Sequence, residues 1–374
     1  MMLEENQLEP MPLIDLASPW GANLEAAMCE TCDRSYLTPQ QALPLLCPHC
    51  WQSSLTPVSS LPQAIISESP YNHPPELLAP FTVTTDHVAQ SIQNFARGIW
   101  FAPGDLTPQN LNERLQPIYA PMWLVDSQVQ AIWQAEAGFN YQAVSHQDQF
   151  DENRGGWSSH QITETRIRWE PRVGRLERTY HNIPAPALEE HAEFGQKLGS
   201  YDLAAAHPYK PEALAQALIR LPDRSTADAW PDTIPAFQAE AAGECRQACQ
   251  ADHWREFRWT AQYQNQNWTL LLLPMWSTYY LDDAQNPQPV LIHGQSGQLH
   301  GVRRASMQRA KRTAMMITGV AIVIFILSLI IALVALIRPA LGWVAGVGLA
   351  IAFIIGLLSL LPIIIVWQFN RTHG

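Results

Sequence analysis

No Asp, Glu, Lys, Arg or His occurs between Ala314 and Ile337, nor again between Leu341 and Trp367. Spans so empty of ionisable groups exclude an ion path or a proton relay, because neither has anything to run on. Acidic residues are missing altogether from 303 onward, where seven Lys/Arg stand alone. The catalytic signatures are missing too: the chain has no G-x-x-x-x-G-K-S/T, G-x-G-x-x-G, H-E-x-x-H or G-x-S-x-G. No phosphate-cradling loop, dinucleotide fold, zincin helix or nucleophile elbow can therefore be built from it. A basic footprint is lacking as well. Residues 1–302 hold 16 Lys/Arg against 34 Asp/Glu, a net charge of −18, whereas nucleic-acid binders carry a basic patch.

What fills the uncharged space is apolar. Ala314–Ile337 is 24 residues and Leu341–Trp367 is 27, and a bilayer core of ~30 Å needs ~20 helical residues. Arg338-Pro339-Ala340 is too short for anything but a reversal, so 314–367 is expected to form a transmembrane helical hairpin. The alternative is a pair of helices buried in a large soluble core. Trp343 and Trp367 stand near the ends of the second run, where interfacial indoles belong, and Pro362 is expected to kink its end. Arg303, Arg304, Arg309, Lys311 and Arg312 form a basic juxtamembrane segment over 303–313, Arg371 lies in the tail 368–374, and the turn holds Arg338 alone. Lys/Arg excess marks the cytoplasmic side, so both termini are expected there, in a bacterial inner membrane. Gly342-x-x-x-Gly346 and Gly348-x-x-x-Ala352-x-x-x-Gly356 make a small-residue stripe, suited to helix packing within the chain or to a homo-oligomer. Met1 to Ala27 is acidic and broken by Pro10, Pro12 and Pro19, unlike a signal peptide; 1–26 is expected to be a disordered arm.

Six cysteines remain to be placed, four of them in two C-x-x-C pairs: Cys29-Glu30-Thr31-Cys32 and Cys47-Pro48-His49-Cys50. In a cytosol-facing chain such pairs read as metal ligands rather than disulfides. Two-residue spacers turn both thiolates of a knuckle toward one ion, and two knuckles complete a tetrahedral shell. Residues 27–54 are thus expected to be a zinc ribbon, Cys29, Cys32, Cys47 and Cys50 holding one structural Zn²⁺. A rubredoxin-like iron site is the runner-up, disfavoured because no glycine follows either knuckle. His49, inside its knuckle, is expected to face solvent. Cys245 and Cys249, beside His253, would need ligands from elsewhere and read as partly buried free thiols. Glu189-Glu190-His191-x-Glu193 reads as a solvated helix face.

Between ribbon and hairpin, 55–79 is rich in Pro and Ser and reads as a linker. Residues 80–302 are expected to be an α+β domain built on an antiparallel sheet. Helices are expected over Asp86–Gly98, Leu214–Leu221 and Ile234–Phe257. Strands are expected from Tyr119 through Tyr141 and from Thr260 to Tyr280, with a hairpin at Thr163–Tyr180 turning at Val173-Gly174 and another over Pro289–Gly301. Pro-Met-Trp occurs at 121–123 and at 274–276, the mark of two related β units. The fourteen tryptophans are expected to be core and edge packing.

The paired knuckles, Pro80-Phe81, Gly98-x-Trp100-Phe101-x-Pro103 and Tyr119-x-Pro121-x-Trp123-Leu124-x-Asp126 carry a resemblance. So do Leu273-Pro274-x-Trp276 with Tyr279, and His293-Gly294-Gln295-Ser296-Gly297-x-x-x-Gly301. Together they resemble the bacterial membrane-anchored proteins with a zinc ribbon of the transcription-factor-IIB type, often labelled replisome organisers or primosomal helicase-like. The resemblance spans about residues 29–305; Asn-Gly-Gln-Thr-Gly is usual in that family where this chain has His293-Gly294-Gln295-Ser296-Gly297. With no nucleotide-binding loop, a motor activity does not carry over. The resemblance implies a membrane adaptor with protein partners of the band-7 (SPFH) or phage-shock kind. The expected function is therefore a non-enzymatic scaffold, the alternatives being a membrane-tethered nucleic-acid-binding ribbon or an enzyme of unrecognised type.

Overall fold

The computed structural model of the chain describes residues 20, 24–39, 45–57, 74–151, 156–214 and 217–373. Most of the expected arm (1–19 and 21–23) and the middle of the expected linker (58–73) lie outside them. The fold is α+β with a large sheet, helices and two apolar C-terminal segments. The described residues divide into two units. One comprises Met1–Pro121, Ala192–Leu221 and Leu272–Gly374; the other comprises Met122–His191 and Pro222–Leu271.

The first unit begins with three short strands, β1 (Leu24–Cys29), β2 (Ser35–Pro39) and β3 (Leu55–Pro57). β1 pairs antiparallel with both others, Ala26 opposite Leu37 and Met28 opposite Thr56. β4 (Leu77–Leu78) pairs antiparallel with β7 (His207–Pro208). Between them in the chain lie helices α1 (Thr85–Ala96) and α2 (Pro108–Glu113) and the long strands β5 (Gln116–Asp151) and β6 (Gly156–Ala185). Helix α3 (His191–Leu198) follows β6.

Residues 27–54 were expected to stand apart behind a linker, yet β2 is hydrogen-bonded onward to β8 (Leu218–Arg220), with Tyr36 opposite Arg220. β8 in turn runs parallel to β5, Tyr119 opposite Ile219. The strands around the cysteine pairs therefore continue the main sheet, and β3 occupies the start of the expected linker. Leu214–Leu221 is a correction: a 3-10 turn over Pro211–Leu214 leads into β8, not a helix. Leu218, Ile219 and Arg220 are all buried, so this short run shows no alternation that would tell a strand from a buried helix.

β9 (His253–Leu281), β10 (Pro287–His293) and β11 (Leu299–Gly301) complete the sheet, Val290 lying opposite Thr278 and Leu291 opposite His300. The β10–β11 reversal needs its two glycines for different reasons. A Cβ on Gly294 would stand 2.5 Å from the Pro274 carbonyl oxygen, and Gly297 sits at φ +72°. His293 organises the same turn: its buried Nδ1 accepts from the backbone N–H groups of Gln295 (3.0 Å) and Ser296 (3.1 Å). An asparagine side chain makes the same acceptor contact in an Asx turn, which accounts for a histidine at this position. Accepting at Nδ1 requires a neutral ring, and burial pulls the His293 pKa below its ordinary value.

Helix α1 buries Val88, Ile92 and Phe95, the residues its spacing singles out. They join Leu111, Tyr280, Val290 and Ile292 in the unit's core. That core also contains Ala305, Ala310 and Val366, with Met307 and Phe369 packed against it. The roots of the C-terminal helices are thus part of it. α5 (Met307–Ala335) starts from the N-cap Ser306, and α6 (Gly342–Leu358) returns after a turn at Pro339–Leu341. α7 (Leu361–His373) follows a break at Ser359-Leu360, just ahead of Pro362, which has no N–H to continue the ladder. The expected tail 368–374 is largely the end of α7, and Asn370 clamps Ala305 with a hydrogen bond each way, 2.7 and 3.0 Å. Val323, Leu333 and Phe353 are 57%, 72% and 68% exposed. Helices of a soluble core would bury such side chains, so these two segments are long and apolar enough to span a membrane and point to a membrane location.

The second unit is a sheet of long antiparallel strands faced by helix α4 (Thr226–Ala248). β5 and β6 pair without a turn from Trp123↔Ala185 to Asp151↔Gly156, broken only by a bulge at Val125/Ser127. The hairpin expected over Thr163–Tyr180 is another correction: Val173-Gly174-Arg175-Leu176 lies mid-strand, and glycine stands at 174 because a Cβ there would meet the Trp133 ring at 2.8 Å. Asp126, at the bulge, accepts from the N–H of Asn182 (2.7 Å), itself at φ +54°. α4 begins earlier than expected at a capping box of Ser225 and Asp228, and accommodates Pro231 and Pro235. Its Phe237 and Ala241 pack with Val125, Val129, Tyr180 and Ile183. Trp123, Trp230, Trp259 and Trp268 belong to this packing. The two Pro-Met-Trp triplets lie on β5 and β9, which are neighbours in one sheet.

The small-residue stripe divides in two. A Cβ on Gly348 would fall 2.2 Å from Ser328 Oγ on α5, while Gly346 has open space around it. Ala345 and Ala352 are buried too, so one part of the stripe is consumed by packing within the chain. Gly348→Val is expected to destabilise the hairpin by about 1–3 kcal/mol through overpacking. Gly346→Val is expected to be neutral in the same thermal unfolding measurement in detergent; equal effects would refute this assignment.

Candidate metal centre

Each knuckle is a tight turn closed by its own backbone. Cys29 N–H donates to the Arg34 carbonyl (3.0 Å) and Asp33 N–H returns to the Cys29 carbonyl (2.9 Å). In the second, Cys47 N–H donates to Ser53 (2.9 Å) and Trp51 N–H to Cys47 (2.9 Å). The residue following each knuckle therefore has to turn left-handed: Asp33 lies at φ +53° and Trp51 at φ +55°. Glycine is the residue suited to that backbone. Asp33 meets the need as a residue that tolerates αL. Trp51 instead carries strain, on the order of 1–3 kcal/mol, offset by burial and by stacking on Tyr279 with ring centroids 4.6 Å apart.

These turns bring the four thiols together. All four Sγ atoms lie within 4.8 Å of one another, with Cys29–Cys50 at 3.6 Å and Cys32–Cys47 at 3.7 Å. None is in a disulfide. A Zn–S bond of ~2.3 Å sets the S···S edge of a tetrahedron near ~3.8 Å, so a set at these distances fits a tetrahedral metal ion. Cys29 and Cys47 are buried, Cys32 and Cys50 half-buried. Burial pushes the Cys47 thiol up to about 11, and burial with the neighbouring Cys47 pushes Cys32 higher still. Cys32 and Cys47 therefore resist ionising without a cation beside them, whereas at Cys29 burial is outweighed by hydrogen bonds from the Thr31 and Cys32 backbone, which hold that thiol below its ordinary value; metal binding to such a set displaces protons. His49 is exposed and outside the cluster.

Around the thiols stand groups that spacing did not reveal. Tyr36 on β2 is buried, its pKa raised well above the usual value by that burial and lowered in part by Arg220. The Arg220 guanidinium lies 5.4 Å from the Tyr36 ring centre and donates to the Ser35 carbonyl at 3.2 Å. Arg220 thus meets the cluster through Tyr36, whose side chain contacts Cys47. The second knuckle is also fastened to β9: the Pro48 carbonyl accepts from Ser277 Oγ at 2.8 Å, with both groups buried. Tyr279, under Trp51, carries Arg114 4.6 Å from its ring centre, and Arg114 holds Asp105 at 2.9 Å. No sequence signal marks Arg220, because its stretch reads as a helix.

The other candidates stay apart. The four cysteines are the one group of three or more such ligands among the described residues. Cys245 is buried, and that burial raises its thiol to about 11; Cys249 caps α4. His191 and Glu193 open α3, and Glu193 pairs with Lys197 at 2.9 Å on the helix surface. In the second unit, a groove of 480 Å³ between Gln130, Ile132, Arg175, Glu177, Thr260 and Gln262 holds no nucleophile–base pair among its lining residues. Comparisons with family models, with curated proteins and with solved structures returned no match.

The left-handed turns can be tested directly. Asp33→Gly is expected to stabilise the metal-loaded protein by up to about 1 kcal/mol, since glycine meets no Cβ penalty there. Trp51→Gly is expected to destabilise it, because losing a buried indole costs about 3–5 kcal/mol, more than the backbone relief. Thermal unfolding of both variants checks the pair; a stabilised Trp51→Gly would show that strain outweighs stacking.

Proposed function

We propose that this chain is a membrane-anchored scaffold: a structural zinc ribbon on an α+β body, held at the bacterial inner membrane by a two-helix hairpin with both termini cytoplasmic. The observation that supports it most is the closed four-thiol set. Four protein ligands leave a tetrahedral ion no open position for substrate, so the metal's work is to hold the ribbon. Zinc is favoured over iron by the compartment and the ribbon pattern, although the left-handed residues after both knuckles remove the objection that glycine is missing. Cys29, Cys32, Cys47 and Cys50 would hold the ion, with Arg220 and Tyr36 packed around it.

Elemental analysis of the purified full-length protein is expected to find one zinc per chain. Cys47→Ser is expected to lose it and to lower the stability of the whole first unit, because Pro48 and Trp51 of that knuckle pack on β9. An iron-containing protein, or a metal-free one with unchanged stability, would overturn this part.

The scaffold role itself rests on the charge of the body, the missing catalytic motifs and the family resemblance. Tethering raises the effective concentration of a partner without new contacts, and the resemblance makes band-7 or phage-shock proteins the first candidates. Co-purification from native membranes is expected to enrich such proteins with the wild type. Recovery of specific DNA or RNA instead would favour the nucleic-acid-binding alternative.

A further inference from the structure

Trp100 is a large aromatic side chain that the first unit leaves outside although it does not lie on the C-terminal apolar helices. It is 71% exposed, between the buried Ile99 and the packed Phe101. The loop that presents it turns left-handed twice, at Gly98 (φ +80°), where glycine is at ease, and at Phe101 (φ +60°), where a side chain is not. The Phe101 carbonyl accepts from the N–H of Ser306, the N-cap of α5, at 2.6 Å. The Arg309 guanidinium lies over Gly104, where a Cβ would come within 3.2 Å of it. The backbone that carries the indole is thus anchored beside the root of the first apolar helix, with the ring itself outward.

Its surroundings identify what covers it. Trp100, Ile365 and Phe369 line one cavity of 160 Å³. Ile365 and Phe369 are one helical turn apart on α7 and bracket Trp367, which is 56% exposed with Arg371 5.6 Å from its ring centre. Trp100 therefore stands at the level of the last apolar turn of the hairpin, level with a second exposed indole. Exposed cations gather at this end, Lys311 and Arg312 on α5, Arg371 on α7 and Arg97 ahead of the loop, alongside Asp283, which is hydrogen-bonded to Gln308 in the first turn of α5. An apolar cleft continuous with an exposed apolar helix, an indole with a polar edge and an excess of exposed cations are the features of the headgroup–acyl boundary.

We propose that the Gly98–Gly104 loop is a third membrane contact, inserting Trp100 into the interfacial layer of an anionic phospholipid bilayer and filling the cleft against Ile365 with lipid chain. This rests on the membrane reading of the hairpin. It adds that the first unit lies against the bilayer surface in one orientation, fixed at α5, α7 and the loop, rather than hanging from a tether.

The test uses the full-length protein in vesicles of phosphatidylcholine and phosphatidylglycerol whose chains are brominated either next to the headgroup or near their ends. The wild-type emission minus that of Trp100→Phe isolates Trp100, and the same subtraction with Trp367→Phe isolates the hairpin indole. Headgroup-proximal bromines are expected to quench most of the Trp100 emission, and deep bromines much less. If shallow bromines quench Trp367 while Trp100 stays unquenched and red-shifted, the hairpin is inserted and the loop proposal is wrong. If neither is quenched, the membrane reading fails and the loop proposal falls with it.

Discussion

Ten residues of β9, Leu272 to Leu281, are the support on which the first unit depends. The Leu272 carbonyl accepts from Ala79 N–H, and the Pro274 carbonyl sets the glycine turn after β10. Ser277 and Tyr279 receive the second knuckle. Thr278 Oγ1 donates to the Leu111 carbonyl at 2.7 Å, tying down α2. The buried Tyr280 hydroxyl donates to the Val302 carbonyl (2.7 Å) and accepts from Arg304 N–H (3.0 Å), at the entry to α5. Ribbon, helical core and membrane root thus share one strand. Side chains alternate across a strand, so it can serve one partner on each face at once.

How much of this could be read from residues alone follows from the range of each signal. The thiol cluster was legible because a knuckle is local: spacing alone decides where its sulfurs point. The hairpin was legible because bilayer thickness imposes a length on composition. Helix α1 showed its face through Val88, Ile92 and Phe95. β8 did not, because a short strand buried on both sides has no period to show. The start of α4 was obscured by Pro231 and Pro235, which the backbone accommodates after the capping box at Ser225. Gly174 looked like a turn and is a packing gap for Trp133, a non-local reason invisible in sequence. The same holds for Arg220, whose place beside the thiols depends on a strand pairing across more than a hundred residues.

Motif residues that look like candidates for chemistry turn out to serve geometry. His293 supplies two acceptor contacts to a turn, Asp126 supports the backbone opposite a bulge, and Trp123 donates to the Arg224 carbonyl at 3.0 Å from full burial. Each satisfies buried or strained backbone, a need that the polar groups of an irregular sheet must meet somewhere. Trp100 breaks the pattern, being fixed in place yet satisfying nothing inside the protein.

The hairpin is not a detachable leash. Ala310, Val366 and Ala305 are buried in the same core as Val88, Ile92 and Phe95, and Asn370 closes on Ala305. Val366 lies at the end of the hairpin and Asn370 just beyond it, so the core of the first unit lacks part of its packing until α5, α6 and α7 are in place. Removing 314–367 would therefore open a cavity in the body as well as release it, and buried Val or Ile truncations already cost on the order of 1–3 kcal/mol each. Folding of the first unit and packing of the C-terminal helices are thus coupled through shared core residues: a body that has lost its apolar C-terminal segment has also lost part of its interior.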